Sequence, residues 1–422
     1  MADILLAPWG WISDRTESRR APFLIGLLAL LGTTIIVWKA TYLSVAIIGR
    51  VLQGLSADIV WITGFALLVD TVGEQNIGQA MGYVSVGLTA GTLVAPVVSG
   101  AIFSAAGYDA VFYMFLGLMG VDVVLRLLII EKKYAIRWVA ASNNVIIEQN
   151  ESDQTSPQAG SECKKAAVPT VVGVLYNDTD DQEVECQEAD VSYDTPTKER
   201  TSSLPSILRL LCSRRLLNAL WGTFVQAAVF SGLGTVLPNF VRQIFGWNAT
   251  GAGLIFLPMM LPALFGPLVG WTADKSGPRW QTFIGFLLTC PAMALLGLVN
   301  KDTTRQKVLL CALLTLVGTA NELIVAPLMA EITYVVEAKE KKCPGRFGKG
   351  GAYGQAYALF NMAWCLGNTL GPLWAGLVDD AAGWGTMGWS LGLLGGLTAI
   401  PSLLWCNGWI GVKENRQWRR QA

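Results

Sequence analysis

The chain has 422 residues, of which 52% are hydrophobic and only 15% charged, and its 31 basic residues balance 31 acidic ones. A soluble domain with a polar shell does not have that composition, and a net charge of zero argues against the broad basic face that nucleic-acid binding needs. Histidine is absent, which removes the commonest metal ligand and the best proton relay near neutral pH, so any proton chemistry falls to carboxylates.

Residues 1–12 are apolar but too short to cross a bilayer, and they read as the end of a helix whose beginning is missing. They run into a charged loop, Gly10-Trp11-x-x-Asp14-Arg15-Thr16-x-x-Arg19-Arg20. Apolar stretches of the ~20 residues that cross a hydrocarbon core follow, at 22–40, 43–70, 78–103 and 109–130. The second carries Arg50, Gln53, Asp58 and Trp61 in its interior and Asp70 at its end. The third carries Gly91-x4-Pro96-x3-Gly100. The fourth contains Asp122 and Arg126 at i,i+4, a self-neutralising pair that reads as structural.

From 132 to 205 the chain is rich in Ser, Thr, Asp, Glu and Gln, too polar to pack a core, and is expected to be a disordered acidic linker. It separates a first half, 1–131, from a second, 206–411, with a short tail at 412–422. The second half repeats the pattern, with spans expected at 216–241, 250–272, 281–299, 308–336, 352–378 and 385–411. Its loop Gly270-Trp271-x-x-Asp274-Lys275-Ser276-x-x-Arg279 copies the Gly10 loop at identical spacing, and Gly367-x4-Pro372-x3-Gly376 copies the Gly91 stretch. Two repeated signatures in the same order imply a duplicated, all-α polytopic membrane protein, the organisation of secondary transporters.

Of the acidic residues, 14 lie between Glu131 and Arg200, so the rest of the chain carries 24 basic against 17 acidic groups. Assigning the loops alternately to two sides puts 24 Lys and Arg on the side of Arg15, Lys275 and the Arg416–Arg420 tail, and five opposite. The richer side is expected to be cytoplasmic, which places the linker and the C-terminus there. Eight cysteines are scattered without CxxC spacing, so neither disulfides nor a metal site nor a cofactor is expected. The chain lacks a nucleophile–base set and a phosphate loop, and an enzyme is not indicated.

These stretches carry a family resemblance. Gly10 to Arg20 resembles the loop between helices 2 and 3 of the major facilitator superfamily, with one extra residue before Arg19-Arg20. Arg50-x-x-Gln53-Gly54 is similar to its fourth-helix motif, and Gly91 to Gly100 to its fifth-helix antiporter motif, although Ala95 replaces the usual glycine before the proline. Glu322-x4-Pro327 and the stretch Ala358 to Gly367 are similar to the tenth and eleventh helices of vesicular amine transporters, and the chain looks most like fungal members of that drug:proton antiporter branch. The resemblance implies two pseudo-symmetric six-helix halves, with helix 1 and the start of helix 2 absent.

The resemblance and the residues together nominate sites. A carboxylate or arginine centred in a span costs roughly 2.5–3.5 kcal/mol on insertion scales, so such residues usually face a cavity and work there. Glu322 corresponds to a family aspartate linked to proton coupling, and Arg50 and Asp58 share the fourth helix. Cavity walls are expected from Gln53, Trp61, Trp221, Gln226, Asn321, Tyr357 and Asn361. Asn361 stands where the amine transporters have an aspartate and Gly234 where they have a glutamate, which favours neutral or weakly charged ligands, because a desolvated cation needs a partner. Gly10, Asp14, Arg15, Arg19, Arg20 and Asp70, with Gly270, Asp274, Lys275 and Arg279, are expected to form conformational latches, a carboxylate facing a helix N-terminus of the other half. Gly91, Pro96 and Gly100, with Gly367, Pro372 and Gly376, are expected to give close helix packing.

The expected function is proton-coupled antiport and efflux of small amphipathic molecules (a drug, toxicant or secondary metabolite) by a monomer, whose partners are its substrate, protons and the lipid bilayer of a plasma, vacuolar or vesicular membrane. A facilitated carrier, a proton symporter and a non-transporting remnant stay open.

Overall fold

The computed structural model describes residues 20–73, 76–128, 210–211, 213–342 and 352–406, and every regular element among them is a helix. The helix end at 1–12, the loop from Gly10 to Arg19, the linker at 132–205 and the tail at 412–422 lie outside the described residues, as does the side chain of Arg20.

The first half comprises α1 (Arg20–Trp38), α2 (Leu43–Val72) and α3 (Ile77–Leu128). The second comprises α4 (Arg214–Phe245), the short α5 (Ala249–Leu254) and α6 (Phe256–Met260), α7 (Gly266–Ser276), α8 (Pro278–Leu295), α9 (Thr304–Lys342) and α10 (Tyr353–Trp405). Eight helical stretches among the described residues are long and apolar enough to cross a membrane. Two of them, α3 and α10, turn back at Gly107 (φ 83°) and Gly383 (φ 82°), left-handed positions that a side chain would strain. Each is therefore two helical arms joined at a glycine, and helix is found within each of the ten expected spans, the parts at 129–130 and 407–411 lying outside the described residues.

Apolar residues fill the core, but they also cover the outer surface, and several polar groups are buried. Leu43, Leu128 and Leu377 are exposed, whereas Gln226, Glu322, Glu331 and Thr333 are buried. Lipid is as apolar as leucine, so apolar burial alone does not join the helices, and close approach of small residues takes its place. Along α4 and the first arm of α10, a Cβ on Gly371 would strike the backbone of Ala228, and one on Gly367 the carbonyl of Phe224. Where α3 crosses α7, a Cβ on Gly270 would fall onto the carbonyl of Gly78.

Gly91, Gly100 and Gly376 do not share this role: a Cβ on any of them would meet nothing within 4 Å. Gly91 and Gly100 lie on an exposed face of α3, and no helix among the described residues is laid over them. Pro96 lies within α3 and Pro372 within α10.

The segment from Ala249 to Ser276 is broken. Pro258, Pro262 and Pro267 withdraw amide donors and crowd the preceding turns, and Leu261–Phe265 tightens into a 3-10 turn between α6 and α7. Irregular backbone at membrane depth is tolerated where protein or a cavity covers it, and this stretch does border one.

Candidate functional site

Between the halves lies a cavity with an empty volume of about 1030 Å³, counted to its open mouth. Trp61 and Phe65 of α2, Phe230 of α4, and Phe360 and Trp364 of α10 give it aromatic walls, and Met259, Met260 and Ala263 of the broken segment form another side. Ser85, Thr89 and Thr92 descend one face of α3 into it. The amides Gln226, Asn321, Asn361 and Asn368 supply most of the remaining polar lining. No charged side chain is among the described residues that line it.

Two hydrogen bonds cross between the halves beside this space. The Ser85 hydroxyl donates to Glu322 Oε2 at 2.8 Å, and Asn361 Nδ2 donates to Asp58 Oδ1 at 2.7 Å. Glu322 is 2% exposed and stands just behind the wall that Ser85 forms. Its second oxygen, Oε1, is buried without a hydrogen-bond partner and lies so close to Gly266 that a Cβ there would come within 2.7 Å. A third bond, Gln226 Nε2 to Asn321 Oδ1 at 2.8 Å, ties α4 to α9.

The halves also meet at the end where α3 begins. There Asp274, at the end of α7, accepts from the backbone amides of Gly78 at 2.7 Å and Gln79 at 2.9 Å. The N-terminal amides of a helix have no intrahelical acceptor, and a carboxylate satisfies them while meeting the positive end of the helix dipole. Tyr334 of α9 donates its hydroxyl to the same carboxylate at 2.5 Å. Contact this close needs the glycines: a Cβ on Gly78 would lie 2.5 Å from Asp274 Oδ1 and 2.6 Å from the Gly270 carbonyl. Phe65 of α2, itself part of the cavity lining, stacks on Tyr357 of α10 with centroids 4.9 Å apart.

Trp61, Gln226, Asn321 and Asn361 line the cavity. Three other expected wall residues do not. Gln53 donates to Thr34 of α1 at 3.0 Å and accepts from Arg50 at 3.0 Å, which turns it away from the space between the halves. Trp221 is 45% exposed and packs in a tilted pair with Phe224, its ring plane 34° from that of the phenyl, because its face of α4 looks outward. Tyr357 is fully buried behind Phe65, where its hydroxyl bonds Thr333 at 2.8 Å and the Met329 carbonyl at 3.2 Å.

Arg50 is exposed and near neither cross-half bond in the contacts it makes, so its expected part in proton coupling has no geometric support. Asp70 is exposed at the end of α2. Lys275 covers the Trp271 ring at 3.9 Å, and Arg279 donates to the Cys406 carbonyl at 2.7 Å. Asp122 and Arg126 pair at 3.5 Å, with the guanidinium over Phe23.

Sequence reasoning missed Ser85 and Tyr334, which are an ordinary serine and tyrosine in apolar runs. It also missed a buried ion pair in which Arg215 of α4 clamps the fully buried Glu331 of α9, Nη2 to Oε2 at 2.9 Å and Nε to Oε1 closer still. Glu331 shares the apolar run of Glu322, and its charge inside that run carried the same signal.

The model of the Major Facilitator Superfamily matches residues 4–341 and 219–416, and the chain belongs to that superfamily of membrane transporters. It is 29% identical over 417 residues to the MFS-type transporter ppzB of Metarhizium rileyi, covering 96% of this chain and 83% of the relative. It is 28% identical over 375 residues to an uncharacterized MFS-type transporter, C18.02, of Schizosaccharomyces pombe, covering 89% and 77%. The human organic anion transporter MFSD10 (TETRAN) has the same fold, with a TM-score of 0.62 at 18% identity over 95% of this chain and 81% of its own.

Proposed function

We propose that this superfamily member is a proton-coupled antiporter that exports small, uncharged amphipathic molecules by alternating access. The single observation that carries the reading is Glu322, a carboxyl group buried at the cavity wall without an ion-pair partner among the described residues and bonded to Ser85 of the opposite half. A charge in such a place is costly, so the group moves between a neutral state while buried and an ionised one when hydrated. Proton binding at Glu322 is thereby linked to whether the halves are together there. Asp58, bonded across the same gap to Asn361, is the second carboxyl group that the cycle can titrate.

The excess of Lys and Arg on the side of Asp274 supports a cytosolic placing of that side, and on this reading the latch closes the cavity toward the cytosol. Release of the latch opens the cavity inward, where substrate enters. Proton entry from the opposite side and substrate exit then share one site in alternation. The aromatic walls and uncharged amides suit a flat, apolar molecule with a few hydrogen-bonding groups.

The test is uptake into proteoliposomes under an imposed pH gradient, screened over neutral and cationic aromatic compounds. Accumulation against the proton gradient supports antiport. Accumulation with it indicates symport, and flux indifferent to the gradient indicates a facilitated carrier; either result overturns the proposal.

A further inference from the structure

Glu322 does not line the cavity, and one hydroxyl stands between the two. Its Oε1 is turned to the crossing of α3 and α7, where a Cβ on Gly266 would lie 2.7 Å from both that oxygen and the Gly82 carbonyl, so packed backbone covers this side. Its Oε2 accepts from Ser85 at 2.8 Å, and Ser85, 4% exposed, is part of the cavity wall. Thr89, one turn further along the same face of α3, also lines the cavity. Serine and threonine in a membrane helix commonly bond the carbonyl one turn back, as Thr63, Thr223 and Thr289 do here. Ser85 donates its hydroxyl to Glu322 instead, which leaves its lone pairs open, and the Thr89 hydroxyl has no partner among the described residues.

We infer that Ser85 and Thr89 form the proton path between cavity water and Glu322, with Ser85 as its last step. The inference rests on the reading of Glu322 as the coupling acid. A hydroxyl suits the task because it donates and accepts at once and rotates between partners. The other polar groups of the wall do not: Gln226, Asn321, Asn361 and Asn368 are amides, which relay a proton only through a rare tautomer, while Thr223 and Thr92 are turned to backbone carbonyls. Ser85 and Thr89 are about 6 Å apart along the helix axis, a gap that one water bridges. When Glu322 is protonated, a hydronium at Ser85 forms a new O–H bond to Oγ as the old Oγ–H bond breaks and its proton binds Glu322 Oε2. The hydronium is left as water, Ser85 is regenerated and the carboxylate becomes neutral. Neighbouring charges give no second route: Glu331 on α9 and Asp274 on α7 each lie more than two helical turns along from Glu322 and Gly266, and they are engaged by Arg215 and by the α3 amides.

The test follows protonation of Glu322 itself, by time-resolved infrared difference spectroscopy after a jump to acid pH, on the full chain in lipid nanodiscs without substrate. The protonated-carboxyl band that Glu322→Gln abolishes is the band of this residue. Ser85→Ala is expected to slow the rise of that band about tenfold or more, short of the ~10²–10⁴-fold that a positioned group contributes to catalytic proton transfer because water takes over part of the role. The final amplitude of the band is expected to stay at the wild-type value. Ser85→Thr, which restores the hydroxyl, is expected to restore the rate. Thr89→Val, close in volume and breaking no side-chain hydrogen bond among the described residues, is expected to slow the rise several-fold, and it carries the test should Ser85→Ala fail to fold.

A rise at the wild-type rate in Ser85→Ala or in Thr89→Val overturns the inference alone. So does a slow rise that Ser85→Thr leaves uncorrected, which would make Ser85 a packing residue. If no carboxyl band of the wild-type protein is lost in Glu322→Gln, Glu322 does not titrate, and the coupling reading falls together with the inference.

Discussion

Ser85 and Gly78 lie about two turns apart on α3, and each is held by a carboxyl group of the opposite half: Glu322 accepts from the Ser85 hydroxyl at 2.8 Å, and Asp274 from the Gly78 amide at 2.7 Å. The cavity-wall acid and the end latch therefore grip one helix at two points. Withdrawal of α3 from the second half would break both, so in the proposed cycle hydration of Glu322 and release of Asp274 belong to one movement.

Replacement Glu322→Gln keeps the size of the side chain and an oxygen for the Ser85 hydroxyl, but it cannot titrate. We expect the variant to express and insert, to exchange substrate for substrate, and to lose accumulation driven by a pH gradient. Parallel exchange and gradient-driven assays in proteoliposomes check this, and accumulation at the wild-type level would contradict it.

Replacement Asp274→Asn removes the charge and one of the two acceptors facing the amides of Gly78 and Gln79. A charge at a helix N-terminus contributes about 0.3–1 kcal/mol, and up to about 2 kcal/mol when partly buried. The latched state should lose stability on that scale. Turnover is expected to fall several-fold while equilibrium binding changes little, since Asp274 is no part of the cavity lining. Tyr334→Phe, which withdraws a single donor from the same carboxylate, should have a smaller effect in the same direction. Equal losses of binding and turnover would make Asp274 a folding residue only.

Replacement Gly270→Ala tests closure sterically. A Cβ there lands on the Gly78 carbonyl, with backbone rather than a flexible side chain in its way. The helices must part by the width of a methyl group, which separates Asp274 from the α3 amides. We expect protein trapped open at the Asp274 end, read as permanent reactivity of a cysteine placed at Met329 toward a thiol reagent supplied from that side. Protection equal to that of wild type would show that the crossing tolerates the added methyl.

How far these relationships could be read in the sequence depends on whether they are local. The spans were legible because a stretch long enough to cross lipid has to be apolar along its length. Asp274 was legible because its loop recurs at fixed spacing. The partner it chooses, the amides of Gly78 and Gln79, carries no side-chain signature at all. Ser85 was invisible for a related reason: one serine in an apolar helix usually bonds its own backbone, and only the fold brings it to Glu322. Trp221 was misplaced because helical periodicity fixes relative faces, and an indole fits a lipid-facing surface as readily as a cavity wall.

The Arg215–Glu331 pair permits a prediction about stability apart from transport. Glu331 is fully buried and clamped through both oxygens, one contact being 2.9 Å, by a guanidinium whose side chain is 18% exposed. Removing one partner of a buried pair costs about 3–5 kcal/mol, because the remaining charge keeps its desolvation penalty and loses its counter-charge. Arg215→Ala should therefore unfold in detergent at a markedly lower temperature than wild type. Replacing both residues with methionine removes the stranded charge together with its partner, and such swaps are often neutral or stabilising. The double variant is expected to recover most of the lost stability, which a thermal-unfolding double-mutant cycle would measure. If Arg215→Met/Glu331→Met is no more stable than Arg215→Ala, the pair holds α4 against α9 through its hydrogen-bond geometry and not through charge compensation.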